Sequence, residues 1–388
     1  MHSQILTLPR AFTALNMYPC LMNVQDPIKL QPLSNTTWAI IGFLRFLLAS
    51  IVVNSHLGIL GTSRGGLSQF INSFGAFAAV SSFVVISGFS IADSWHREPK
   101  KFLIRRFARI YPVLAVTIFI YIIAVTSVGM ITLPSGFVVT SDTNFKVIGL
   151  ASILFLNGIL VGQIYGPCWS LTAEFWYYFS APLIGKLNLN RLNLLLMLFS
   201  VIYFVLGTNY GVPLPNTKYG IAIFALAWFW IAGYVLRITL HTELRDLQVI
   251  VVLLLALFLF PVYNYEGGIY SKVTLMTTVI VIVFAQKIKT PSMATSTLSY
   301  LGDLSYPLFM VHYGVIILAT KFGISDYFIC LTASILIALV FLHIIDRPLR
   351  KILTQEIDEG KQIKNLLYMY LSTAIFLWIL ISLKFIFR

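Results

Sequence analysis

The stretch FLRFLLASIVVNSHLGIL, residues 43–60, is an almost unbroken apolar run with Arg45 in its middle and His56 near its end. A run of about 20 apolar residues has the length of a membrane-spanning helix. The two residues are eleven positions apart, which is three helical turns, so their side chains share one face about 16 Å apart along the axis. A charge within the hydrocarbon costs several kcal/mol unless it faces protein or water. The stretch therefore predicts a membrane helix whose polar face points into the protein.

The composition extends this prediction to the whole chain. The 388 residues are 58% hydrophobic and 11% charged, with a mean hydropathy of +0.87, so a soluble protein of this length would have too few charged groups for its surface. Long apolar runs favour an all-α, polytopic helical membrane protein over a barrel of short alternating strands. We expect about ten core transmembrane helices plus one C-terminal helix, at 38–56, 70–92, 110–130, 169–185, 192–209, 219–237, 247–264, 272–287, 300–320, 326–346 and 366–387.

The charge argues against a nucleic-acid-binding protein, and the cysteine content argues against a metal site or a disulfide framework. In a membrane protein, a net charge of +13 reflects Lys and Arg in cytoplasmic loops, so we predict a lipid bilayer and no nucleic acid as partner. Cys20, Cys168 and Cys330 are too far apart for a metal-binding spacing or a disulfide framework. We therefore expect no metal, and the oligomeric state stays open.

The run VIGLASILFLNGILVG at 147–162 decides the topology, because its sixteen residues are marginal for a span. If it does not cross, 19 basic residues lie inside and 7 outside; if it crosses, each side receives 13. The positive-inside rule favours the first arrangement. We therefore predict a re-entrant or surface segment, in a protein of the plasma (inner) membrane with a cytoplasmic N-terminus and an extracytoplasmic C-terminus.

The predicted topology divides the chain into four segments. The segment 1–36 lacks the features of a secretory signal and is expected to be a cytoplasmic tail. A membrane domain follows over 37–346, then a polar cytoplasmic linker over 347–365 and an additional transmembrane helix over 366–388.

Two other predicted helices carry ionisable residues. Glu174 lies one turn into its helix, where the helix dipole favours a carboxylate and Ser170 is placed to cap the N-terminus. His312 lies in the outer half of its helix, six positions after Tyr306. Each also has a structural interpretation: Glu174 as part of a capping box, His312 as a satisfied core histidine, and Arg45 as a buried structural pair.

The sequence KKFLIRRFARIYP, residues 100–112, places three arginines at the predicted cytoplasmic end of a helix. Arg105 and Arg109 share a face, and Arg106 lies about 100° away. They are either a positive-inside signal or a site for bidentate phosphate binding. With His56 toward the outside, this arrangement suits an anionic cytoplasmic donor and an acceptor on the opposite side.

Six elements in this order resemble the acyltransferase 3 family of integral membrane O-acyltransferases, which includes O-antigen and exopolysaccharide acetyltransferases. They cover residues 44–351 and read LRFLLASIVVNSH (44–56), FVVISGF (83–89), RRFARIYP (105–112), WSLTAEFWYYF (169–179), LSYPLFMVH (304–312) and DRPLRK (346–351). The sequence departs from the family pattern at Ser55, at Phe175 in place of a second glutamate, and at Phe309 in place of a second tyrosine.

The resemblance implies transfer of an acyl group, most often acetyl from acetyl-CoA, to a hydroxyl of an extracytoplasmic glycan or lipid-linked sugar. It implies that His56 is the catalytic histidine, that Arg45 is its motif partner, and that the arginine cluster binds the acyl-CoA. An imidazole that removes a hydroxyl proton is worth roughly 10²–10⁴-fold, and Glu174 is expected to orient that imidazole. An acyl-histidine intermediate is the alternative route. The remaining motif residues are expected to support the site or bind substrate: Trp169, Ser170, Tyr306 and His312.

Two alternatives remain at this point. An enzyme that performs the same chemistry on a small hydroxylated natural product would carry the same motifs. A transporter or flippase of glycan or acyl groups shares the architecture and the intramembrane charges, but it has no need for Arg45 and His56 together with the cytoplasmic arginines. The sequence therefore favours the enzyme.

Overall fold

The computed structural model describes residues 30–59, 65–128, 131–132, 138–139, 145–159, 166–210, 219–263 and 269–355. This part of the chain is a helical bundle, as predicted, with one pair of two-residue antiparallel strands. The elements are α1 (Asn35–Ile59), α2 (Gly66–Ser73), α3 (Ala76–Arg97), α4 (Phe102–Val128), β1 (Ile131–Thr132), β2 (Val138–Val139), α5 (Phe145–Ile153), α6 (Cys168–Ile184), α7 (Leu189–Tyr210), α8 (Ile221–Thr239), α9 (Arg245–Leu259), α10 (Ile269–Phe284), α11 (Ser292–Lys321), α12 (Tyr327–Val340) and α13 (Arg347–Gln355). Short 3₁₀ segments and one π-helical turn, Phe341–Asp346, join some of them.

Several of these helices have the properties of membrane spans. Seven helical segments in the described part of the chain are long and apolar enough to cross a bilayer. The expected number of about ten core helices is not confirmed, since α6 and α9, for example, have only 17 and 15 residues. The predicted helix at 366–387 and most of the 347–365 linker lie outside the described residues.

The second predicted span, 70–92, is wrong at its N-terminal end. The chain turns at Gly75, whose φ of 79° is the left-handed conformation that glycine adopts without strain. The turn separates the eight-residue α2 from α3, which spans Ala76–Arg97 instead. Apolarity alone did not reveal the break, because the residues on both sides of it are hydrophobic.

The marginal run at 147–162 contains only part of a short helix. Helix α5 has nine residues, about 13 Å of rise, which is less than half of the hydrocarbon thickness. The chain then turns at Phe155 and Gly158, both with positive φ, and residues 160–165 lie outside the described part. The helix that the structure describes here is too short to cross by itself.

Close backbone contacts fix two pairs of helices. Gly42 of α1 faces Gly302 of α11, where an added Cβ atom at Gly302 would lie 2.6 Å from the Cα atom of Gly42. A methyl group at Gly88 of α3 would overlap the carbonyl of Trp230 in α8. Such small residues let membrane helices approach closely.

Ion pairs and hydrogen bonds join the ends of helices that the predicted topology places on one side. The Arg237 guanidinium, at the end of α8, donates to Asp93 Oδ1 of α3 at 2.7 Å and to the Gln31 carbonyl before α1 at 2.6 Å. Both side chains of this ion pair are almost fully buried. At the other end of α1, the Asn54 side chain donates to the Ser68 carbonyl and accepts from Tyr327. These contacts place the end of α8 beside the end of α3, and the end of α1 beside α2 and α12.

Candidate active site

The two histidines of the motif helices form a direct pair. His56 Nδ1 in α1 lies 2.7 Å from His312 Nε2 in α11, and the rings are nearly parallel at 14°. The Tyr313 ring packs edge-on against the His56 ring at 5.3 Å. His312 is fully buried, whereas His56 is only partly so. The Gly42–Gly302 contact holds these same two helices together.

Hydrogen bonding fixes the tautomer of this pair when both rings are neutral. His312 Nδ1 lies 3.0 Å from the carbonyl oxygen of Leu308. Because a carbonyl only accepts, Nδ1 carries the proton and His312 Nε2 is an acceptor. His56 Nδ1 must then donate to it, which leaves the lone pair of His56 on Nε2. A histidine in this form is a base at Nε2.

Arg45 lies in a second polar cluster, built around Ser90 of α3. Its Nη2 donates to the Ser90 hydroxyl at 2.8 Å, and Arg106 Nη2 donates to the Ser90 carbonyl at 2.9 Å. The Arg106 Nε atom is buried with no hydrogen-bond partner among the described residues. Arg45 and Arg106 therefore lie beside each other at Ser90.

Glu174 joins this cluster rather than the histidine pair. Its Oε1 accepts from the Ser87 hydroxyl at 2.8 Å and from the Tyr178 hydroxyl at 2.7 Å. Glu174 was the expected hydrogen-bond partner of the His56 imidazole, whereas the partner in the structure is His312. The predicted cap is also wrong: α6 begins after Pro167 without a side-chain cap, and Ser170 donates weakly to the Pro167 carbonyl at 3.4 Å.

One pocket brings most of these residues together. It holds about 770 Å³ of space free of protein atoms, a figure that includes the solvent at its opening. Three arginines and one carboxylate line it, so its charge favours an anionic ligand. The lining consists of Arg45, Val80, Phe83, Val84, Ser87, Arg106, Arg109, Ile110, Ser170, Leu171, Glu174, Tyr178, Ser305, Tyr306 and Phe309.

The other predicted site residues lie around this pocket. Tyr306 lines it and donates to the Ile110 carbonyl at 2.6 Å. Trp169 is buried in the core beside the pocket wall. Arg105 pairs with the Glu98 carboxylate at the start of α4 and does not line the pocket, so the structure separates it from Arg106 and Arg109.

Sequence reasoning missed three contributors to the site: Ser87, Ser90 and Tyr178. Ser87 and Ser90 are buried polar residues on α3, and buried hydroxyls need partners. Their spacing with Arg45 is not visible in the sequence, because the contact joins residues 45 positions apart. No group of three or more His, Cys, Asp or Glu side chains able to hold a metal occurs in the described part of the chain.

The fold and the pocket define a helical membrane protein with a polar, cationic site enclosed by its helices. Comparison with known proteins gives the class. The acyltransferase 3 family model, an acyltransferase domain, matches residues 38–345, and the chain belongs to this family. Membership of this family agrees with the helices that have the length and apolarity of membrane spans.

The chain was also compared with curated proteins and with solved structures. The chain is similar to acyltransferase MdmB of Streptomyces mycarofaciens, with 34% identity over 122 residues, which is 29% of this chain and 30% of that relative. The match thus spans less than a third of the relative's length. No solved structure matches the chain.

Proposed function

We propose that this acyltransferase transfers acetyl, from acetyl-CoA supplied on the cytoplasmic side, to a hydroxyl of an extracytoplasmic glycan or lipid-linked sugar. The observation that carries this proposal is that Phe309 lines the pocket with three arginines, while its ring also packs against His312 of the His56–His312 pair. A base and an anion-binding site within one helical bundle are the two parts that hydroxyl acylation from an anionic thioester needs.

The chemistry assigns His56 as the general base. Its Nε2 takes the proton of the acceptor hydroxyl while that oxygen attacks the thioester carbonyl carbon. The carbon–sulfur bond then breaks, and the imidazolium returns the proton to the departing thiolate, which leaves as the free thiol. His312 positions His56 by accepting the Nδ1 hydrogen bond, the task that a carboxylate performs in the serine hydrolase triad.

Arg106 and Arg109 are proposed to bind the phosphates of the acyl-CoA. The buried and unpartnered Nε of Arg106 supports this role, because a buried donor without an acceptor is costly in the absence of a ligand. Arg45 extends the cationic wall. Arg105, held by Glu98 at the start of α4, would meet the donor only at the pocket entrance.

Glu174 is proposed to shape the pocket. Its carboxylate fixes the hydroxyls of Ser87 and Tyr178 and offsets part of the charge of the arginines. Ser170 and Tyr306 complete the wall that holds the reacting groups in place, and Trp169, which precedes Ser170 on α6, is buried in the core.

The membrane orientation is part of the proposal. Placement in the plasma (inner) membrane, with the N-terminus in the cytoplasm and the C-terminus outside, agrees with the basic-residue count. In this orientation the arginines at the start of α4 face the cytoplasm, where acyl-CoA is available, and His56 lies toward the outside.

Mass spectrometry of surface glycans tests the function. Cells that express the protein should carry acetyl esters, with a mass increase of about 42 Da per group, which disappear when the gene is deleted and return on complementation. Identical glycans in all strains, with the acetyl ester found instead on a secreted small molecule, would contradict the proposed acceptor. Absence of any protein-dependent ester would contradict the acyl transfer itself.

A further inference from the structure

Two phenylalanine rings lie where the pocket approaches the histidine pair. Phe83 of α3 and Phe309 of α11 both line the pocket, and their ring centroids are 5.6 Å apart with a tilt of 58°. The Phe309 ring also packs against the His312 ring at 6.3 Å. Phe309 therefore contacts the pocket on one side and the histidine pair on the other.

The polarity of the pocket lining changes along α3 and α11. On α3 the polar Ser87 is followed by apolar residues at Val84, Phe83 and Val80 toward the helix start. On α11 the pocket ends at Phe309, one turn before His312. Arg45 and Arg106 lie toward the other end of the α3 lining, because both donate to Ser90, which follows Ser87 on that helix. The pocket thus has a cationic end and an apolar end, and the apolar end is the one that adjoins the histidines.

This arrangement matches the polarity of an acyl thioester, whose phosphates are anionic and whose acyl group is apolar. We propose that Phe83 and Phe309 form an acyl-size filter, which accepts a short acyl group such as acetyl and excludes longer chains. The inference rests on the proposed function, since it assumes that the donor is an acyl-CoA.

The physical basis is the closeness of the two rings. At a centroid separation of 5.6 Å the rings are in contact, so a longer chain would have to displace one of them, and overpacking of a helical interior is unfavourable. One methylene group in an apolar pocket changes selectivity by about 10–200-fold. Removal of either ring should therefore change which chain length is preferred.

The test uses the purified full-length protein in detergent and measures dissociation constants for CoA, acetyl-CoA, butyryl-CoA and octanoyl-CoA. We expect the wild-type protein to bind octanoyl-CoA at least tenfold more weakly than acetyl-CoA. Phe309→Ala and Phe83→Ala should each reduce this preference at least tenfold while CoA itself binds as before. Phe204→Ala is the matched control, because that ring is 48% exposed on α7, and it should keep the wild-type preference.

The outcomes separate the filter from the proposed function. If both variants bind CoA normally and keep the wild-type chain-length preference, the filter is wrong and the donor assignment stands. If the wild-type protein binds none of the four compounds, the donor assignment fails and the filter fails with it. Should an alanine variant not fold, as judged by size-exclusion chromatography, Phe309→Leu and Phe83→Leu supply a smaller change with the same expected direction.

Discussion

His56 Nδ1 and His312 Nε2 lie within 2.7 Å of each other although 256 positions separate the two residues. The contact joins the first long helix of the bundle to α11, and the Leu308 carbonyl on α11 fixes its direction. It makes His312 a positioning residue for the proposed base.

His312→Ala removes the hydrogen-bond acceptor that orients His56. We expect kcat to fall about 10²-fold, the size of effect that a small misplacement of a catalytic group produces, while KM for the acyl-CoA stays within twofold. His312→Gln retains a side-chain acceptor and should recover part of the rate. Steady-state kinetics of the purified variants measure both constants, and equal losses in the two variants would argue against an orienting role.

Arg106→Ala removes a guanidinium that lines the pocket. Hydrogen bonds to charged groups are worth about 1.5–3 kcal/mol, so the dissociation constant for CoA should rise by at least tenfold. Arg105→Ala is the matched control, because that side chain pairs with Glu98 outside the pocket lining, and its effect should be under threefold. Calorimetric titration with CoA measures both, and equal effects would move the donor site toward the start of α4.

Glu174→Ala leaves the Ser87 and Tyr178 hydroxyls without their shared acceptor. Each unsatisfied group costs about 1–3 kcal/mol, so thermal unfolding in detergent should occur at a lower temperature. Glu174→Gln retains an oxygen acceptor and should keep kcat within tenfold of the wild type. A loss of about 10⁴ in kcat with normal folding, as for the orienting carboxylate of a hydrolase triad, would instead support a contact between Glu174 and His56.

Gly302→Ala tests the packing that brings the two histidines together. The added Cβ atom would lie 2.6 Å from the Gly42 Cα atom, so α1 and α11 must separate, at a cost of about 1–3 kcal/mol. Thermal stability and acyl transfer should fall together. Gly66→Ala is the control, because nothing lies within 4 Å of its added Cβ atom; a Gly302 variant as stable and active as this control would contradict the α1–α11 contact.

The sequence predicted the helical membrane class and the shared polar face of α1, because both depend on local periodicity and apolarity. These features need no knowledge of which helices are neighbours.

The partners of the site residues were not predictable in this way. Glu174 was assigned to His56 because both were expected near the outer side, yet its carboxylate meets Ser87 on α3 and Tyr178 on its own helix. Which helix packs against which is decided by contacts such as Gly42–Gly302, and these join residues far apart in the sequence. The break at Gly75 was hidden for a different reason, because hydropathy does not report a backbone φ.

Acyl transfer from labelled acetyl-CoA to isolated cell-envelope glycan or lipid-linked sugar in reconstituted membranes measures the proposed reaction itself. We expect the wild-type protein to move label to the acceptor, and His56→Ala, at equal membrane abundance and with unchanged CoA binding, to move none above background. Transfer by His56→Ala at the wild-type rate would contradict the assignment of His56 as the base.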